Sequence, residues 1–263
     1  MIDIVAFLAG LLIGSFLNVC IHRMPRDLSI VRPRSFCPQC KHMISWYDNV
    51  PVLSYLMLRG RCRFCRHRIP LRYPVVELAT GLAFWFCAHL LGPTLVALKW
   101  CLFSGLLIAL TATDFEERIL PNELTLGGTA LGLLLALFVP VHAETIGPFV
   151  APWMASVSEA AFGAVIASGS IWFVGWAYKK VRHREGMGFG DVKMIAMIGA
   201  FLGAPLAMLA ITAGSLLGAI AGILFIVVAR KDATTYELPF GSFLGISALA
   251  VAMFGEVVGQ GVR

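Results

Sequence analysis

Charge is what this chain has least of. Charged residues make up 14% of its 263 positions, against about 25% in ordinary globular chains. Hydrophobic residues make up 59% and the mean hydropathy is +0.82, which excludes a disordered chain. No Lys or Arg precedes the first apolar run, and Asp3 stands where a signal peptide would carry its positive start. No small-x-small cleavage site is apparent either, so that run is expected to stay as an uncleaved span. The sequence has no His-Glu-x-x-His, which disfavours a zinc metalloprotease. Seven cysteines in so apolar a chain do not read as a small disulfide scaffold. The net charge of +6 does not by itself make a nucleic-acid binder, and none is expected as a partner. What remains is an all-α polytopic protein whose solvent is the lipid bilayer.

Crossing about 30 Å of hydrocarbon takes about 18 or more apolar residues in a helix. Eight segments are candidates: Ile4–Ile21, Pro74–Leu91, Leu95–Thr113, Leu124–Val141, Ala160–Tyr178, Val192–Ala204, Pro205–Ala229 and Pro239–Val258. Val192–Ala204 is the shortest. Helices are required because lipid satisfies no exposed strand edge.

Basic residues set the orientation. Segment 22–73 holds Arg23, Arg26, Arg32, Arg34, Lys41, Arg59, Arg61, Arg63, Arg66, Arg68 and Arg72. Lys179, Lys180, Arg182 and Arg184 follow the fifth span, Arg230 and Lys231 the seventh, and Arg118 the third. With eight spans all four segments share one side, which is then cytoplasmic, and both termini lie outside. The opposite connection, His142–Ser158, has no Lys or Arg. The expected partition is a first transmembrane helix at 1–21, a cytoplasmic metal-binding domain at 22–73 and a helical membrane domain at 74–263.

In that cytoplasmic segment Cys37-Pro38-Gln39-Cys40 precedes Cys62-Arg63-Phe64-Cys65. Two such knuckles can supply four thiolates to one tetrahedral metal, and a reducing cytoplasm argues against disulfides. About 50 residues build too little core to be stable alone, so a metal staple is useful. Structural zinc is expected at Cys37, Cys40, Cys62 and Cys65, although iron suits the same cage. His42 and His67 read as surface residues, and Cys20, Cys87 and Cys101 as packing residues.

Only fifteen acidic residues exist. Asp114 ends the third span and Asp191 opens the sixth in Gly188-Phe189-Gly190-Asp191. The charge-derived topology puts both at one membrane face. Paired aspartates can hydrolyse a peptide bond, one taking a proton from water and the other donating to the carbonyl oxygen. Close carboxylates do not both ionise easily and titrate as a unit. Taken singly, Asp191 reads as a helix cap and Asp114 as a solvated helix end. Glycines beside Asp191 permit close approach, for instance of an extended substrate. Glu116, Glu117 and Arg118 read as interface charges. Glu77 lies inside a span and is a functional candidate, or else a partner of Arg72 or a helix cap.

The stretch GFGDVKMIAMIGAFLG at 188–203 resembles the Gly-x-Gly-Asp signature of the type IV prepilin peptidases, a family of membrane aspartic proteases. GSFLNVCIHRMP at 14–25, the two cysteine knuckles with WYDNVPVLSY between them, RYPVVELATG at 72–81, DFEERILPN at 114–122 and ELPFGSFL at 237–244 agree with it in order. The resemblance implies an enzyme of the bacterial cytoplasmic (inner) membrane that removes a short basic leader after a glycine. The substrates would be prepilins or the pseudopilins of type II secretion, cut at the cytoplasmic face. It also implies N-methylation of the new terminus with S-adenosylmethionine as donor. By match Asp114 and Asp191 are the catalytic pair and the four cysteines the metal site. Gly81 falls at the glycine tied to methyl transfer, with Glu77 in the same stretch. The N-terminal block sets the chain apart from shorter relatives that are peptidases only.

Two other classes compete. A transporter or channel would use Asp114 and Asp191 as ion sites and would place them near mid-membrane in broken spans. A scaffold would use the metal module to bind a partner and would tolerate loss of both aspartates. The residues leave the particular prepilin and the oligomeric state open.

Overall fold

The computed structural model describes residues 1–141, 151–183, 188–229 and 239–257. Helices dominate: α1 Ile2–Arg23, α2 Leu53–Met57, α3 Arg72–Leu91, α4 Leu95–Glu117, α5 Asn122–Leu135, α6 Pro152–Arg182, α7 Phe189–Ala229 and α8 Phe240–Ala250, which a π-helical run Val251–Val257 continues. Among the described residues, five helices are long and apolar enough to cross a membrane, and Phe240–Gly255 is a shorter apolar one. The basic residues Arg184, Arg230 and Lys231 lie outside the described residues.

Two compact units form, Met1–Thr113 and Asp114–Arg263. In the first, α1 and α3 run antiparallel. A Cβ on Gly10 would stand 2.7 Å from the Gly81 Cα, and one on Gly14 2.7 Å from the Glu77 Cα. Such approaches replace the hydrophobic drive that lipid removes between membrane helices. One turn on, Asn18 Nδ2 donates to the Tyr73 carbonyl at 3.1 Å. Helix α1 ends where Pro25 follows it. The buried Arg23 then donates to the carbonyls of Ser29 and Pro33, both at 2.8 Å, and so pins the entry to the cysteine segment. Within α4, Trp100, Phe103 and Leu107 are fully buried. The Lys99 ammonium lies 4.8 Å from the Trp100 ring centre.

In the second unit α7 packs against α5, α6 and α8. The sixth and seventh expected spans are two helices that meet at Gly203, whose φ of 73° and ψ of 173° are not helical, so Phe189–Ala229 is broken there. Pro205 follows and supplies no backbone N–H. The fourth span is shorter than its apolar run suggests. Helix α5 stops at Leu135, and Phe138 and Val139 lead into Pro140 as a turn. Ser156 of α6 holds that turn, accepting from the Val141 N–H at 3.2 Å and donating to the Val139 carbonyl at 3.4 Å. Ala136, Val141 and Ala160 form a small core behind it.

Candidate functional site

The two cysteine knuckles fold alike. Cys37 N–H donates to the His42 carbonyl and Lys41 N–H to the Cys37 carbonyl. In the second knuckle Cys62 donates to His67 and Arg66 to Cys62. Lys41 and Arg66, each just after its pair, both adopt positive φ, 54° and 60°. Phe36 bridges to Met43 and Arg61 to Arg68. The His42 and Phe64 rings, 3.5 Å apart between centres, join the knuckles. All four Sγ atoms lie within 4.8 Å of one another, and Cys37 and Cys65 are 3.8 Å apart. A tetrahedron of sulfurs at about 2.3 Å from zinc has an edge of about 3.8 Å, so the residues fit the metal. Backbone N–H groups, that of Cys65 above all, pull the Cys62 thiol down to about 7, which favours the thiolate a metal needs.

Beside the second knuckle, Arg63 forks onto Asp48 at 2.7 and 2.5 Å. The guanidinium holds the Asp48 carboxyl below its usual range. This pair therefore contributes above that range and is lost as pH falls through the lowered value.

Glu77 is buried in α3, 7% exposed. Its Oε2 accepts from the Val52 N–H at 2.7 Å, and the Ser15 hydroxyl also donates to it. Val52 has φ of 58°, an unfavourable conformation for a β-branched residue. The carboxylate thus ties the metal-binding segment to the helix that follows it. Replacing Glu77 with Ala leaves the Val52 N–H without its acceptor, a loss of about 1–3 kcal/mol. We expect faster zinc release to a chelator and earlier proteolysis between residues 22 and 73. Glu77→Gln, which keeps an acceptor, should lie close to wild type in both measurements. Gly81 faces α1, and a Cβ on it would meet Leu11 and Phe7 at 3.0 Å.

The aspartates come together in the second unit. Asp114 sits in the last turn of α4, which closes where Arg118, at φ of 55°, returns its N–H to the Asp114 carbonyl at 2.9 Å. Asp191 is the third residue of α7, half-buried. Its backbone N–H donates to the Gly188 carbonyl at 3.2 Å and its carboxylate accepts from the Gly188 N–H. Its carboxylate thus supplies the side-chain half of a capping box, with no hydroxyl at Gly188 to return the other half. The charge of Asp114 acts directly on Asp191. Asp114 is 6% exposed, and its Oδ2 accepts both the Ser242 N–H at 2.6 Å and the Ser242 hydroxyl at 2.9 Å. Leu120 fills the space left by the signature glycine: a Cβ on Gly190 would stand 3.2 Å from Leu120 Cβ, and one on Gly241 3.2 Å from Leu120 Cδ1. Room for that side chain is thus one use of Gly190. Lys193 donates to Asn122 Oδ1 at 2.7 Å, tying α7 to the start of α5.

Sequence reasoning singled out neither Ser242 nor Val52. ELPFGSFL carries the family resemblance as a stretch, but a serine in an apolar run carries no signal of a distant carboxylate. The positive φ at Val52 breaks residue preference and is invisible to it.

Neighbouring carboxylates at the ends of two membrane helices, one of them fixed by two donors, are equipped to divide acid and base work in the manner of an intramembrane aspartic hydrolase. Residues 8–91 match the bacterial peptidase A24 N-terminal domain and residues 101–223 the type IV leader peptidase family. A prepilin leader peptidase/N-methyltransferase of Pseudomonas aeruginosa is 36% identical over 95% of this chain and 90% of its own length. That of Aeromonas hydrophila is 36% identical over 96% and 90%. That of Myxococcus xanthus is 40% identical over 86% of this chain and 63% of its own length. No solved structure matches. The chain belongs to the type IV leader peptidase family.

Proposed function

We propose that this chain is a membrane aspartic endopeptidase that cuts the basic leader from prepilins or pseudopilins after a glycine, at the cytoplasmic face, and then N-methylates the new amine. The observation that carries the peptidase half is the convergence of Asp114, Asp191 and the Ser242 donors in one unit. One carboxylate, ionised, takes a proton from water as the oxygen attacks the scissile carbonyl. The other, protonated, donates to the carbonyl oxygen and, as the C–N bond breaks, a proton passes to the leaving amine. A prepilin is an apolar helix with a cationic leader, so its scissile bond lies at the interface. The aspartates, at helix ends, lie at the same depth, with water at hand. A transporter with mid-membrane acids does not suit that placement.

Cys37, Cys40, Cys62 and Cys65 hold zinc in this reading. The metal supplies folding free energy and offers no open position for catalysis. S-adenosylmethionine is the donor implied by the relatives' activity. Gly81 is packed against α1 and Glu77 is bonded to Val52, so neither opens a cradle for a cofactor.

The test is co-expression with a prepilin in a bacterium lacking such a peptidase. The prepilin should lose its leader, and should keep it when the chain carries Asp191→Asn. A prepilin that stays full length beside the unaltered chain contradicts the reading. Orientation is tested separately. Ser156, in the Lys- and Arg-free connection, is 5% exposed and unsuited to labelling, whereas Ser158 and Lys180 are exposed. Ser158→Cys should react with an impermeant thiol reagent on intact cells and Lys180→Cys only after lysis. The reverse would put the basic segments outside.

A further inference from the structure

We infer that Ser242 is a positioning residue that dedicates Oδ2 of Asp114 as a fixed acceptor and leaves Oδ1 as the oxygen that exchanges protons during cleavage. This rests on the reading of Asp114 and Asp191 as the catalytic pair, and it adds a third residue together with an assignment of atoms.

Both Ser242 bonds reach the same oxygen, at 2.6 Å from the backbone nitrogen and 2.9 Å from the hydroxyl. Asp114 is 6% exposed and Ser242 3%, so water has little access to replace either bond. Ser242 is the third residue of α8. An N–H in the first turn of a helix has no acceptor within its own helix, which makes this one available to a side chain from elsewhere. It also donates to the Pro239 carbonyl, at 3.2 Å. The N-terminal end of α8 also presents its partial positive charge to the carboxylate.

The consequence is geometric. A proton on Oδ2 would point at the Ser242 N–H, hydrogen against hydrogen. Any proton on Asp114 therefore sits on Oδ1, and Oδ1 is the atom that takes one from water or gives one to the carbonyl. Two donors on one oxygen also fix the carboxylate plane. Among the described residues Asp191 has no such double clamp: one backbone N–H caps it and it is only half-buried. Gly241 completes the seat. A Cβ there would stand 3.0 Å from Asp114 Cγ and 3.1 Å from Oδ2, closer than a side chain tolerates without displacing the carboxylate.

The test uses the purified full-length, zinc-loaded protein, a synthetic prepilin peptide and steady-state cleavage kinetics. Ser242→Ala keeps the N–H and removes the hydroxyl. Ser242→Thr keeps both donors. Gly241→Ala keeps both and crowds the carboxylate. We expect kcat to fall about 10- to 100-fold in Ser242→Ala and in Gly241→Ala, with KM within about twofold of wild type. Ser242→Thr should keep kcat within about threefold. A Ser242→Ala kcat at least half that of wild type overturns the inference. So does a loss confined to KM, or a Ser242→Thr as slow as Ser242→Ala. If Ser242→Ala does not fold, Gly241→Ala decides: reduced kcat at unchanged KM supports the inference and unchanged kcat overturns it. Asp114→Asn, assayed alongside, separates the two levels. If it cleaves normally, the catalytic-pair reading fails; if it is inactive while Ser242→Ala is normal, only the present inference fails.

Discussion

Asp114→Asn and Asp191→Asn should each remove prepilin cleavage, by on the order of 10⁴-fold, and leave a folded membrane protein. Asparagine matches aspartate in shape and cannot take up or release a proton in these roles, so each change removes half of a pair that must divide acid and base work. At Asp114, Asn can present its carbonyl oxygen to both Ser242 donors, so the seat survives the substitution. At Asp191 the amide oxygen can still accept the Gly188 N–H. Methylation of a substrate supplied already cleaved should continue in both variants. Mass analysis of the peptide products reads both reactions in one sample. Near-normal cleavage by either variant contradicts the assignment.

Replacing Cys37 and Cys62 together should release the metal and loosen residues 22–73. Tetrathiolate zinc supplies on the order of 10 kcal/mol of folding free energy to a small module, more than so short a segment gains from its own core. The membrane helices should stay inserted, because lipid and helix packing hold them. The cysteines belong to the first unit and the two aspartates to the second. The cysteine variant should therefore keep more cleavage than Asp191→Asn does. Metal analysis of the purified variant, with cleavage kinetics beside it, decides the matter. A full equivalent of zinc in the double variant contradicts the four-cysteine site. Complete loss of cleavage in a folded, inserted, zinc-free protein contradicts a purely structural metal.

Much of this was legible in the residues. The paired cysteine spacing pointed to one cage because tetrahedral thiolate coordination constrains spacing, and the four sulfurs do converge. Asp114 and Asp191 were placed on one face by counting Lys and Arg, a rule about membrane sides that needs no contact information. The break in α7 was foreseen one residue from Gly203 because glycine and proline punctuate helices. The end of α5 was not foreseen. Residues 136–139 are as apolar as the span before them, and only the contact with Ser156 shows that they turn. The boundary between the two units falls inside α4, where an unbroken helical pattern marks nothing. Ser242 stayed hidden for the reason that makes it interesting: its bond to Asp114 spans 128 positions, and one sequence carries no record of such a pairing.

The most direct measurement of the central claim is to incubate the purified protein with a synthetic prepilin peptide and isotopically labelled S-adenosylmethionine, and to weigh the products. The account predicts two masses: the leader released after its glycine, and the remainder carrying one labelled methyl group on its new amine. Under the same conditions Asp191→Asn should return the peptide intact. An uncut peptide from the unaltered protein, or a cut that persists in Asp191→Asn, contradicts it.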